Sequence, residues 1–293
     1  MPSTTPFALS CALALPLSNS FEINLGQLAT HARRCLATGC SSVTVFGTTG
    51  EGASISFAER EQILSTLSNT GFEMDRQVLG GVMASSIGDA VEQARVVIAA
   101  RCRGMLLAPP FYYKEVTEAG LFAWFSQVFE SIEPQGGEVI LYHIPSVTGV
   151  PLSIRLIGRL REAFPEIVKG VKDSGNDWSY TEELLRTHGD LLILIGNERH
   201  LAAGVRTGAR GAISGLANLC PEMLRSVMET GIEDARITGL VNEIARFPFT
   251  PAVKSLLAQR DNDPDWLTVR PPLTALSESE RAGLATIYER LIS

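Results

Sequence analysis

Several signatures are missing from this chain, and each absence closes off a class of function. No two cysteines are spaced as CxxC, and the total is odd: Cys11, Cys35, Cys40, Cys102 and Cys220. A secreted disulfide framework is therefore not expected, and a reducing cytoplasmic setting fits better. The four histidines, His31, His143, His188 and His200, show neither HxH nor HxxxH spacing, so no metal centre is expected. GxSxG and GxGxxG are both lacking, which removes the usual signals of a serine hydrolase and of a dinucleotide enzyme. No carboxylate pair stands out for glycoside hydrolysis. No apolar run reaches the roughly 18 residues a membrane span needs. The apolar stretch at 8–17 precedes the first basic residue, Arg33; without a charged leader segment it reads as a strand and not as a signal peptide. Basic residues are also in deficit, Lys+Arg 25 against Asp+Glu 32 for a net charge of −7. That balance argues against nucleic-acid or anionic-membrane partners, which need clustered positive charge. A small anionic ligand needs only a local positive site.

What is present is core material: 45% of the 293 residues are apolar. Eight short apolar runs fall at 8–16, 41–46, 77–84, 104–110, 138–145, 167–172, 191–196 and 211–215. Between them lie segments with helical spacing of apolar side chains. Asn24, Ser56, Asp89, Thr117, Ser153 and Ser179 are placed to accept from free backbone N–H groups at helix starts, and Glu59 after Ser56 forms a capping-box pattern. Near-continuous hydrophobic strands indicate a sheet covered on both faces. Eightfold strand-helix alternation predicts an α/β fold, a closed (β/α)8 TIM barrel, with a doubly wound open sheet as the alternative. After Pro221 only helical patterns remain, over 221–246, 252–260 and 277–291. The expected organisation is a barrel over 1–220 with a C-terminal helical appendage over 221–293.

In such a barrel the chemistry sits at the C-terminal strand ends, and three of these ends are unusual. GTTGEG at 47–52 follows the second run; its glycines let backbone N–H groups approach a ligand, and Thr48 and Thr49 add hydroxyls suited to a carboxylate or phosphate. Alone, such a turn is ordinarily just a turn. Tyr142 closes the fifth run on the face of Ile140 and Ile144, pointing into the mouth, with His143 on the opposite, packing face. Lys172 closes the sixth run on the face of Val168 and Gly170, while Lys169 has the other parity. An amine shut away from water favours its neutral, nucleophilic form, the one that attacks a carbonyl. No single one of these features is specific, but Lys172 and Tyr142 on neighbouring strands reinforce each other.

Taken together, GTTGE at 47–51, PPFYYK at 109–114, YHIPSVTG at 142–149, GVKDS at 170–174 and GARGAISGLAN at 208–218 resemble the dihydrodipicolinate synthase and N-acetylneuraminate lyase superfamily. These are class I, pyruvate-handling barrels, and the resemblance covers essentially the whole chain. It implies that Lys172 condenses with the keto carbon of pyruvate or another 2-keto acid and that Tyr142 moves protons. It also implies that Thr48 and Thr49 hold the substrate carboxylate, with Thr49 linking the proton relay. Tyr113 matches a tyrosine lent across a tight dimer to the neighbouring site, and Ile213 a position whose carbonyl faces the keto acid. Gly196, Asn197 and Glu198 stand where lyases place groups toward a sugar tail. No organic cofactor is implied, and the expected assembly is a homo-oligomer, a dimer of dimers. Val147 stands where dihydrodipicolinate synthases carry Arg, His143 where they carry Asn, and Lys114 where they tend to have Asn. The chain thus looks more like the 2-keto-3-deoxy sugar acid aldolases and dehydratases. Dihydrodipicolinate synthase proper and a catalytically silent keto-acid-binding barrel are the alternatives.

Overall fold

The structure is a computed structural model and describes residues 7–292. Eight strands form one closed parallel barrel: β1 Ala8–Ala12, β2 Ser42–Val45, β3 Val78–Val82, β4 Gly104–Leu107, β5 Val139–His143, β6 Val168–Asp173, β7 Leu192–Ile195 and β8 Gly211–Ser214. Closure comes from β8 pairing with β1, Ala8 opposite Gly211 through Cys11 opposite Ser214. Each strand carries apolar residues on both faces because both are covered. Inward side chains, among them Leu79, Leu106, Ile140, Leu194 and Ile213, fill the barrel. Outward ones, such as Val43, Val82, Leu141 and Ile193, meet the surrounding helices.

Four of the expected helix caps are as read. Asn24, Ser56, Thr117 and Ser153 each accept from a backbone N–H in the first turn, and Ser56 with Glu59 closes a full capping box. Two are corrected. Ser86, not Asp89, caps Ile87–Ala99; Asp89 lies in the first turn, where its charge suits the positive helix end. Asp177, not Ser179, caps Trp178–His188, and the Ser179 N–H is the group it receives.

The expected 221–246 helix is two, Pro221–Thr230 and Ala235–Ile244, because Gly231 at φ 67° takes up the left-handed cap that ends the first. The helix read as 252–260 begins earlier, at Phe249, since Pro251 falls in its first turn, where a missing N–H costs nothing. This helix, Phe249–Asp261, is unusual in being buried continuously from Thr250 to Ala258.

A further correction bears on the site. Val139 pairs with Val168 but Ile140 with Gly170, so Lys169 is an extra residue, a bulge in β6. The bulge breaks the alternation: Val168 joins Val171 in the outer layer against the helices. The inward row of β6 is therefore Gly170 and Lys172 without Val168, and Lys169 turns out to pair with Glu166.

Candidate active site

β5 and β6 run in register so that Tyr142 lies opposite Lys172 at their C-terminal ends. Both are buried, 2% and 5% exposed. Lys172 Nζ donates to the Tyr142 hydroxyl at 3.2 Å and lies 4.3 Å from the ring centroid. No carboxylate lies within ion-pair distance of this amine among the described residues. Gly196 makes room for its stem: a Cβ there would fall 2.0 Å from Ser174 Oγ and 2.9 Å from Lys172 Cε, whereas one on Gly170 would come within 2.4 Å of the Leu192 carbonyl oxygen on the next strand.

The Tyr142 hydroxyl is also 3.4 Å from Thr48 Oγ1. Of the two threonines expected to serve this centre, Thr48 is the one that touches it. Thr49 is buried with its hydroxyl beside Gly215, at the end of β8, and none of the hydrogen bonds among the described residues joins it to Tyr142. Ile213 lies in the barrel interior on β8. Across the mouth, Asn197 Nδ2 donates to Asn176 Oδ1 at 2.9 Å, and Glu198 accepts from Ser214 Oγ and the Leu216 N–H. Glu198 is thus engaged in tying the β7 end to the β8 end. Tyr113 is not brought to the centre within one chain: it is 72% exposed, edge-to-face with an equally exposed Tyr112. Its loop is nonetheless firmly seated. Ser85 Oγ accepts from the Phe111 and Tyr112 N–H groups, and Lys114 donates to the Phe111 and Thr148 carbonyls.

His143 faces away from the barrel interior, stacked on Tyr180 at 4.1 Å, with Nδ1 accepting from the Leu152 N–H. Burial pulls its imidazole below the ordinary value, against the opposing charge of Asp173. A cavity of about 670 Å³ opens on this outer side, between the starts of helices Glu118–Ile132 and Trp178–His188. None of Lys172, Tyr142 or Thr48 lines it, though Asn176 does.

Two sets of residues had no local signal in the sequence. Asn218, at the end of GARGAISGLAN, uses its whole amide. Nδ2 donates to the Ala12 and Gly215 carbonyls, and Oδ1 accepts from the Ala14 N–H and from His31 Nε2. It thereby staples the ends of β1 and β8 to helix Leu25–Ala37. Glu51, in the GTTGEG loop, meets Lys254 Nζ at 2.8 Å with both side chains sealed from water, 0% and 1% exposed. Their separation of 203 residues hides the pair from any spacing argument.

A closed parallel barrel whose sixth strand ends in a buried amine against a phenol defines a (β/α)8 protein with a lysine-centred mouth. The dihydrodipicolinate synthetase family model matches residues 7–291. A DapA-like lyase of Chloroflexus aurantiacus is 32% identical over 296 aligned residues, spanning 98% of this chain and 98% of that protein. The solved structure of dihydrodipicolinate synthase from Agrobacterium tumefaciens is similar at TM-score 0.95 and 47% identity, covering 98% of this chain and 100% of that one. A 2-keto-3-deoxygluconate aldolase variant from Sulfolobus solfataricus, at 20% identity and TM-score 0.84 over 97% and 96% of the two chains, shares the fold. The chain belongs to the dihydrodipicolinate synthetase family, and it is a lyase of that family.

Proposed function

We propose that the protein is a Schiff-base lyase acting on pyruvate-yielding 2-keto acids, with a 2-keto-3-deoxy sugar acid as the substrate class. The observation that carries this reading is Lys172 Nζ set 3.2 Å from a buried phenol, with no carboxylate among the described residues to hold it. The amine adds to the keto carbon, and loss of water gives an imine. As that imine draws in electrons, the bond between C3 and C4 of the acid breaks, the C4 hydroxyl gives up its proton, and an aldehyde departs. The resulting enamine takes a proton at C3, and water releases pyruvate from Lys172. Tyr142 is the group in reach to move these protons. Thr48 and Thr49 hold the carboxylate, the Ile213 carbonyl faces the keto acid, and Gly196, Asn197 and Glu198 border the tail. Tyr113, exposed in the single chain, completes a neighbouring site in a dimer of dimers. The enzyme works in the cytoplasm without metal or organic cofactor.

Loss of water in place of carbon-carbon cleavage would use the same imine. A second reading is 4-hydroxy-tetrahydrodipicolinate synthase, condensing pyruvate with aspartate semialdehyde. It is favoured by the name of the 47% identical structure. Against it stands Val147, 59% exposed, which cannot offer the forked hydrogen bonds of an arginine to a second carboxylate.

Borohydride reduction with pyruvate, followed by peptide mass spectrometry, is expected to label Lys172. A panel of keto-deoxy acids is expected to release pyruvate faster than pyruvate and aspartate semialdehyde are consumed together. An unlabelled Lys172 overturns the mechanism; faster condensation transfers the assignment to the second reading.

A further inference from the structure

We infer that helix Phe249–Asp261 is a positioning element of the substrate-carboxylate subsite, with Lys254 and Thr250 acting through Glu51 and Thr48. The inference rests on the proposed role of Thr48 and Thr49 as holders of the substrate carboxylate.

The loop that carries those threonines is strained at both ends. Phe46 at φ 62° and Glu51 at φ 53° are left-handed without being glycine. Such backbone persists only where the surroundings over-determine it. Within the loop two bonds exist, from the Glu51 N–H to the Thr48 carbonyl at 3.1 Å and from the Gly52 N–H to the Gly47 carbonyl at 3.0 Å. The remaining constraints come from outside. Arg60, buried against the Phe46 ring, donates to the Gly52 carbonyl at 2.6 Å from one side. From the other side helix Phe249–Asp261 makes two contacts. Lys254 Nζ meets Glu51 Oε1 and Thr250 Oγ1 donates to the Thr48 carbonyl at 3.2 Å; the Phe249 ring and the Thr49 hydroxyl both border Gly215, 2.4 and 3.2 Å from where its Cβ would stand.

Glu51 is held at its other oxygen too, accepting from the Arg270 N–H at 2.8 Å, and Lys254 donates to the Thr268 carbonyl. An apolar pair of equal volume would serve stability as well as a buried ion pair does. It could not bond the backbone at 268 and 270, and those bonds are what lock the loop to the segment following the helix. The helix, buried along its length, therefore fixes the Thr48 carbonyl and the carboxylate of Glu51 together. Through them it sets where the Thr48 and Thr49 hydroxyls stand relative to Lys172.

The test compares two ketones in borohydride trapping at Lys172, pyruvate and hydroxyacetone, which has similar size but no carboxylate. The proteins are wild type, the charge-free pair Glu51→Gln/Lys254→Met, and Thr250→Val. A positioning role predicts that half-saturation by pyruvate rises about tenfold or more in the double variant, and less in Thr250→Val. Half-saturation by hydroxyacetone stays at the wild-type value in both. Equal rises for the two ketones, the mark of a loosened fold, overturn the inference, as does an unchanged pyruvate value. Should the double variant melt below the assay temperature, Thr250→Val, which loses one hydroxyl, decides alone by the same criterion. A wild-type protein labelled by neither ketone overturns the proposed function and this inference with it.

Discussion

Two lysines in this molecule are almost equally hidden from water, and their surroundings differ in one respect. Lys254 sits between the carboxylate of Glu51 and the Thr268 carbonyl, two acceptors suited to an ammonium. Burial pulls its pKa below the ordinary value and Glu51 opposes that pull. Lys172 meets a phenol and, among the described residues, no counter-ion. Burial is thus common to both, and what separates a structural cation from a candidate nucleophile is the partner. Turning Lys254 into an imine would require breaking an ion pair that water cannot replace. At Lys172 no such pair stands in the way, and its neighbour can pass protons.

Exchanging the fates of the two lysines is the strongest challenge to this contrast. Lys172→Met is expected to lower pyruvate release by about 10⁴-fold or more while the melting temperature stays near wild type. Lys254→Met strands Glu51 without its partner and is expected to cost about 3–5 kcal/mol of stability, read as a clear fall in the melting curve. A heat-labile Lys172 variant, or a fully stable Lys254 variant, would erase the distinction. Tyr142→Phe sharpens the contrast by removing only the proton carrier: turnover should drop about 10²–10⁴-fold, with labelling of Lys172 slowed but still present and the melting curve unmoved.

The smallest effect concerns a carboxylate more open than that of Glu51. Arg270 and Ser56 hold Glu59 at a pKa of about 2 against an ordinary 4.5. The folded protein therefore resists protonation there, and the contribution to stability is fully present above about 4.5 and lost as the pH falls toward about 2. Glu59 keeps 25% of its side chain exposed, and solvent screening of such a pair discounts the gain to about 1 kcal/mol. Melting curves of wild type and Glu59→Gln should differ near neutrality and converge across that acidic window.

Much of this architecture was legible in the residues themselves. Eight apolar runs marked eight strands because a sheet covered on both faces carries apolar residues on both of them. Four of six caps were readable because a polar side chain before an apolar-periodic segment has little else to do. Parity placed Tyr142 and Lys172 on the inward face, and the structure sets them against each other. The same parity failed at Val168, since a bulge at Lys169 leaves no mark in composition. Glu51 with Lys254, and Asn218 with His31, escaped because each pair forms only when distant segments meet. Tyr113 is exposed within the single chain, and its proposed role in a neighbouring site is one that parity along one barrel does not address.

Gly196 carries a consequence for how this scaffold could change its diet. Any larger residue there would collide with the Ser174 hydroxyl and the stem of Lys172, so that spot is closed to innovation by simple geometry. On the proposed function, new preferences would have to be written at an exposed position such as Val147, 59% open to solvent.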